Sequence, residues 1–362
     1  MLLASKLAPC VSKQTMLGII LGLTVFMLAC GADIEPADQP TSTPPTPVVT
    51  AVPTLLPTQI AQATPASKQA PPPDERLFGN PVYELVATWG EATNSGISFA
   101  SPNGIAIDSS DNVYVTEFRG NRVQKFTSDG DLITQWGAGG VENGQFRNPT
   151  GIALDREGNV YVSESGNSRV QKFTSDGEWQ DSFGDLGSGD GEFRSAMVLA
   201  IDSDGNFYVS DWGNSRIQIF DSGGSFMKTL GARGAELGEL TSPTGLKFDS
   251  EGNLWVVDRG NSRVQKFDSK GLALETFGSE GFDDGQFAVP TSIAFDGAGN
   301  FYISEVEGSR VQIFNSGGEY LSELAPRTFS GPHGLAFNSR GDLYVSNTRS
   351  NTVLKFSLVD AP

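Results

Sequence analysis

Five carboxylates stand at a fixed distance ahead of five arginines: Glu117 before Arg122, Glu164 before Arg169, Asp211 before Arg216, Asp258 before Arg263 and Glu305 before Arg310, five residues apart each time. Two chemistries suit such a set. A ring of acids could hold a cation, or each acid could form a charge-assisted pair with its own guanidinium. A sixth copy of the pattern separates the two, because there Asn347 stands for the acid and Thr352 for the arginine. Joint loss is what pairing predicts, since removing one partner alone strands a partly buried charge at a cost of roughly 3–5 kcal/mol. The pairs are therefore read as structural, and no metal is assigned to them. His333 is the single histidine, which leaves one imidazole for any Ser-His-Asp arrangement. No catalytic residue is singled out, and no cofactor is expected. Cys10 and Cys30 are the only cysteines and both precede the repeats, so neither a disulfide nor a thiolate metal site belongs to the folded part.

The arginines mark a longer repeat. The stretch Asn167-Ser168-Arg169-Val170-Gln171-Lys172-Phe173 recurs with small changes at intervals of 47 residues, and the last step, to Thr352, is 42. A fixed period of this size signals stacked supersecondary units. One full copy reads Pro149-Thr150-Gly151-Ile152-Ala153-Leu154-Asp155, then Gly158-Asn159-Val160-Tyr161-Val162-Ser163-Glu164, then the arginine stretch, then Gly177-Glu178-Trp179-Gln180-Asp181-Ser182-Phe183-Gly184. Short β-branched and aromatic runs separated by Gly, Asn, Asp and Ser predict four antiparallel strands. The first two runs are apolar almost throughout, as in strands covered on both faces. One apolar residue per copy, at Phe99, Phe146, Phe193, Leu240, Phe287 and Phe329, fits a plug between neighbouring sheets.

Six four-stranded units predict an all-β, six-bladed β-propeller. The sixth copy stops at Phe356-Ser357 without a fourth strand, while an unassigned strand-like run, Tyr83-Glu84-Leu85-Val86-Ala87-Thr88-Trp89-Gly90, precedes the first copy. That N-terminal run is expected to complete the last blade and close the ring. In its motifs the chain resembles the NHL-repeat family, whose pattern is Pro-x-Gly-apolar-Ala-apolar-Asp, Gly-Asn-apolar-Tyr-Val-x-Asp and Asn-x-Arg-apolar-Gln-x-Phe. Ala196-Met197-Val198 departs from Pro-x-Gly, as does Ser292, and the sixth copy lacks the arginine. The resemblance implies the propeller fold. Relatives and related propellers serve as protein scaffolds, RNA binders, sensor domains and metal-dependent enzymes, so fold alone does not choose a function.

Residues 1–29 read as a secretory signal, with Lys6 and Lys13 ahead of an apolar run that is short for a bilayer span of about 20 residues. Met27-Leu28-Ala29-Cys30 resembles the lipobox of bacterial lipoproteins, which implies a lipid on Cys30 and attachment to the outer face of the bacterial membrane or the cell surface. Residues 30–81 are rich in Pro, Thr, Ala and Gln and read as a disordered tether. Residues 82–357 form the propeller, and 358–362 a short tail. The chain carries 43 Asp and Glu against 25 Lys and Arg, a formal charge of −18, which argues against a nucleic-acid partner.

Binding is expected where the copies differ. Asn103, Thr150, Met197, Thr244, Thr291 and His333 stand between Pro and Gly, or their replacements, and should ring the mouth of the central channel. This set offers no carboxylate and a single imidazole, a poor donor set for calcium or zinc. The turns between second and third strands should share that face. Together they supply a candidate rim patch of Phe118, Arg119, Trp212, Arg259, His333 and Arg349, rich in the aromatic and arginine anchors that dominate interfaces. The expected function is therefore a monomeric, non-enzymatic module that binds a protein, peptide or glycan outside the cytoplasm. A hydrolase or lyase acting at the channel mouth is the alternative.

Overall fold

A computed structural model describes residues 80–90 and 97–359. The signal, Cys30 and nearly all of the tether lie outside the described residues. Six four-stranded antiparallel sheets make up the fold. Blade I comprises Pro102–Ile107, Val113–Glu117, Arg122–Phe126 and Leu132–Trp136; blade II comprises Pro149–Leu154, Val160–Glu164, Arg169–Phe173 and Trp179–Phe183. Blade III runs Ala196–Ile201, Phe207–Asp211, Arg216–Phe220 and Phe226–Leu230; blade IV runs Leu246–Phe248, Leu254–Asp258, Arg263–Phe267 and Ala273–Phe277. Blade V holds Pro290–Phe295, Phe301–Glu305, Arg310–Phe314 and Tyr320–Glu323. Blade VI holds Pro332–Phe337, Leu343–Asn347 and Thr352–Leu358, and its outer strand is Tyr83–Trp89, paired from Tyr83↔Leu358 to Trp89↔Val353. The ring is thus closed by an N-terminal strand, as the missing fourth strand of the last copy predicts.

Burial explains the strand compositions. Second strands such as Val160–Glu164 are buried at every position, whereas fourth strands such as Trp179–Phe183 are largely exposed. Six apolar clusters sit in the six seams. Tyr114 and Val123 pack with Val160 and Phe173 between blades I and II, and Trp89, Phe99 and Phe126 pack with Tyr344 and Val353 between blades I and VI. The plug residues Phe99, Phe146, Phe193, Leu240, Phe287 and Phe329 are all buried. Each fully buried aromatic contributes about 1.5–3 kcal/mol relative to exposure. Gly137 shows why the fourth strand ends in glycine: its φ is +100°, and a Cβ there would overlap the Phe146 ring.

The turns are held by their aspartates. Asp155 accepts the Asn159 N–H at 2.8 Å and the Tyr161 hydroxyl at 3.1 Å, and Asp108 and Asp296 repeat this with Tyr114 and Tyr302. Between second and third strands, Asn121, Ser168, Ser215, Ser262, Ser309 and Asn351 all take positive φ, the left-handed conformation that aims the following residue back into the blade. The long connections between blades are more ordered than their sequences suggest. In one of them Asp185–Leu186 pairs in parallel with Glu192–Phe193, and isolated bridges at Gly139↔Phe146, Arg233↔Leu240 and Glu280↔Phe287 repeat the arrangement.

Candidate functional site

The repeated acids and arginines meet within each blade. Nε of the arginine lies 2.5 Å from Glu117, 2.6 Å from Glu164, 3.0 Å from Asp211, 2.8 Å from Asp258 and 2.8 Å from Glu305, and all five carboxylates are fully buried. Blade II shows what surrounds such a pair. Glu164 also accepts the Arg147 backbone N–H at 2.8 Å, Asn167 Nδ2 at 2.6 Å and Gln171 Nε2 at 2.8 Å. Arg169 Nη2 and Gln171 Nε2 in turn donate to the Gln145 carbonyl at 3.0 and 2.8 Å. The network therefore ties the connection that carries the plug Phe146 onto the blade behind it. Burial pushes the Glu305 carboxyl up, and the hydrogen bonds from Arg310, Ala288 and Gln312 pull it back. In blade VI, Asn347 Oδ1 still accepts a backbone N–H, from Ser330 at 2.6 Å, while Thr352 and Leu354 stand where the arginine and glutamine would be. A neutral amide keeps the backbone bond and needs no counter-charge.

The first strands enclose a central channel of about 400 Å³. Asn103, Thr150, Met197, Thr244, Thr291 and His333 all line it. Three of them are nevertheless turned into the seams: Thr150, Thr244 and Thr291 are buried. Thr150 Oγ1 donates to the Met197 carbonyl at 2.7 Å and Thr291 Oγ1 to the Pro332 carbonyl at 3.3 Å, so these hydroxyls join blades. Thr244 Oγ1 is buried without a partner. His333 is half-buried, and its pKa falls to about 4 because burial disfavours the imidazolium and the charges of Arg259 and Arg349 add to the penalty. It is neutral at physiological pH.

The rim residues fall into unequal groups. The charges of Arg259 and Arg349 both act on His333, and Glu307 links the two arginines, accepting from Arg349 Nη2 at 2.6 Å and offsetting the desolvation that lowers the Arg259 pKa. Trp212 is 40 % exposed, Arg119 is exposed and Phe118 is half-buried. They occupy the corresponding turns of blades III and I, and no hydrogen bond or ring contact joins them to the arginine group. Among the described residues no three His, Cys, Asp or Glu side chains converge as metal ligands, and no helix is long and apolar enough to cross a membrane.

Two residues of this region escape a reading based on recurring polar positions. Glu307 follows Val306 in a variable turn, and its role depends on Arg349 from the next blade. Lys247 lines the channel where the other five blades have Ala106, Ala153, Ala200, Ala294 and Ala336. That substitution is visible when the copies are aligned by their apolar positions, whereas a search for shared polar residues passes over it.

Comparison with known proteins agrees with this architecture. The NHL repeat family matches residues 99–126, 146–173, 199–220, 240–267 and 329–356. No curated protein matches the sequence. Among solved structures, a catalytically inactive virginiamycin B lyase from Staphylococcus aureus with quinupristin is 18% identical, with a TM-score of 0.54, covering 74% of this chain and 83% of that one. A gluconolactonase from Xanthomonas campestris is 17% identical, with a TM-score of 0.57 and coverage of 78% and 96%. A protein of unknown function from Bacteroides thetaiotaomicron is 20% identical, with a TM-score of 0.59 and coverage of 77% and 76%. At these identities the likeness is one of fold. Five family matches, a blade V of the same build and the closure of blade VI by the N-terminal strand make the chain an NHL-repeat, six-bladed β-propeller.

Proposed function

We propose that the propeller is a non-enzymatic binding module that engages a protein, peptide or glycan through the face around its channel mouth. The observation that carries this reading is the division of labour among polar residues. Repeated ones are consumed inside the blades, whereas the residues that differ between copies, Arg119, Trp212 and Arg349, remain exposed on the turns of one face. Exposed tryptophan and arginine are the residue types that offer large contact area and charge-assisted hydrogen bonds at interfaces. In this reading a lipid on Cys30 holds the chain at the outer face of a bacterial membrane, and residues 31–81 space the propeller from it, over 100 Å if extended at about 3.1 Å per residue. Radiolabelled palmitate should enter the full chain and fail to enter Cys30→Ser; labelling of both would remove the anchor. Partners captured from cell-envelope extracts by the wild-type chain should be lost, at least tenfold, by the Arg119→Ala, Trp212→Ala, Arg349→Ala variant. Full retention by that variant would reject the rim as the binding surface.

A hydrolase or lyase acting at the channel mouth is the second reading. Its support is the neutral His333 beside Arg259 and Arg349, an arrangement able to accept a proton near developing negative charge. The lyase and lactonase activities named for two structural neighbours make cyclic esters reasonable trial substrates. Turnover of a lactone by the full chain, abolished in His333→Ala, would overturn the binding-only reading.

A further inference from the structure

Among the described residues, the two charged side chains that line the channel of this acidic protein, Lys247 and Arg259, are both cationic, and His333 is neutral. Lys247, Arg259 and His333 are its ionisable lining residues, and no Asp or Glu contributes to the wall. Two of the three come from blade IV, and so does a third irregularity. In the other blades the fourth residue of the second strand is a hydroxyl, Thr116, Ser163, Ser210, Ser304 or Ser346, that accepts the N–H near the start of the first strand, as Ser163 does from Gly151 at 2.9 Å. Blade IV has Val257 there. In the same blade Thr244 Oγ1 is left buried without a partner, although Thr150 and Thr291 find theirs. Lys247, in its turn, makes no hydrogen bond or ion pair, whereas Lys125, Lys266 and Lys355 lie 3.9, 3.3 and 3.2 Å from Asp108, Asp249 and Asp342. Its side chain is reachable by water yet surrounded by channel wall, and that enclosure lowers its pKa.

We propose that the central channel binds a small organic carboxylate, its head group held by Lys247 and Arg259 and its apolar body lying along Leu154, Ile201, Phe248 and Phe337. The Lys247 ammonium has no counter-charge among the described residues, and an anion entering the channel supplies one. The aliphatic and aromatic side chains on the walls favour a ligand with an apolar body over bare phosphate. A volume of about 400 Å³ admits a molecule of metabolite size and excludes a folded chain. The site shares Arg259 with the rim, but Lys247 lies within the channel and takes no part in the exposed patch, so its replacement tests the channel alone.

The test is calorimetric titration of the full chain at fixed ionic strength with hexanoate, acetate, inorganic phosphate and the neutral isostere hexanamide. Saturable binding of hexanoate is expected, with acetate and phosphate at least tenfold weaker and hexanamide silent. Lys247→Ala installs the residue of the other five blades and should fold normally. It should weaken hexanoate at least tenfold while leaving capture of rim partners unchanged, and Lys247→Arg should restore part of the affinity. Equal binding of hexanoate and hexanamide, tighter binding of phosphate, no binding of any anion, or an affinity untouched by Lys247→Ala would each overturn the proposal.

Discussion

The acid and arginine of each blade show how a buried charge can be structural at the scale of single residues. Glu164 is fully buried with donors from Arg169, Arg147, Asn167 and Gln171, so loss of the guanidinium alone leaves a carboxylate the interior cannot hydrate. Arg169→Ala should therefore cost roughly 3–5 kcal/mol in urea unfolding. The triple exchange Glu164→Asn, Arg169→Thr, Gln171→Leu, which copies blade VI, should cost less than that single change. If the triple variant is as unstable as the sum of its parts, the pairing account is wrong. His333 gives a second prediction. Its folded pKa of about 4 lies below the ordinary 6.5, so the unfolded chain takes up a proton first as the pH falls. Stability from this group is undiminished above pH 6.5 and declines between 6.5 and 4, on the order of 1 kcal/mol per pH unit. His333→Gln should remove that decline relative to wild type; parallel curves for the two proteins over pH 4.5–6 would show an imidazole free to charge in the fold.

At the scale of elements, each fourth strand delivers a large side chain to a seam. Trp89 packs at 5.5 Å on Phe126 of blade I and 5.4 Å on Tyr344 of blade VI, so one residue of the closing strand touches both sides of the last seam. Trp89→Ala should lower stability by about 3–5 kcal/mol. Trp89→Phe should be mild, because the indole N–H is buried without a partner and its loss forfeits no hydrogen bond. Thermal melts of the two variants, differing by less than a few degrees, would contradict this. Much of this level is legible in the sequence: strand count, blade boundaries, plugs and the donated strand all follow from the period and from the run at Tyr83–Trp89. The parallel ribbon at Asp185–Leu186 and Glu192–Phe193 is not, since two-residue pairings leave no periodicity to read. Nor is the buried state of Thr150, Thr244 and Thr291. Position in a repeat places a residue beside the channel, but the hydroxyls of Thr150 and Thr291 turn toward carbonyls of the next blade.

For the whole molecule, charge and connectivity matter most. A chain rich in acids encloses a channel whose two charged lining residues among those described, Lys247 and Arg259, are cationic. Sequence totals report the first property and conceal the second. Connectivity gives a further prediction. Val359 N–H donates to the Val82 carbonyl at 2.8 Å, so the two sides of the propeller meet within blade VI. Joining residue 359 to residue 82 and opening the exposed turn after Asp204 should yield a permuted propeller with near-native melting. Removal of residues 1–90 should instead expose the edge of Thr352–Leu358 and give aggregates by size-exclusion chromatography. A monomeric, cooperatively melting product of that deletion would show that closure is dispensable.

The shared last blade also bears on how a cell could tell finished copies from unfinished ones. Tyr83–Trp89 is synthesised first, and its partner, Thr352–Leu358, is synthesised last. A product that stops short of that final strand leaves Trp89 and an unpaired strand edge open to proteases and chaperones. The edge of the ring is thus covered only when its last residues are in place.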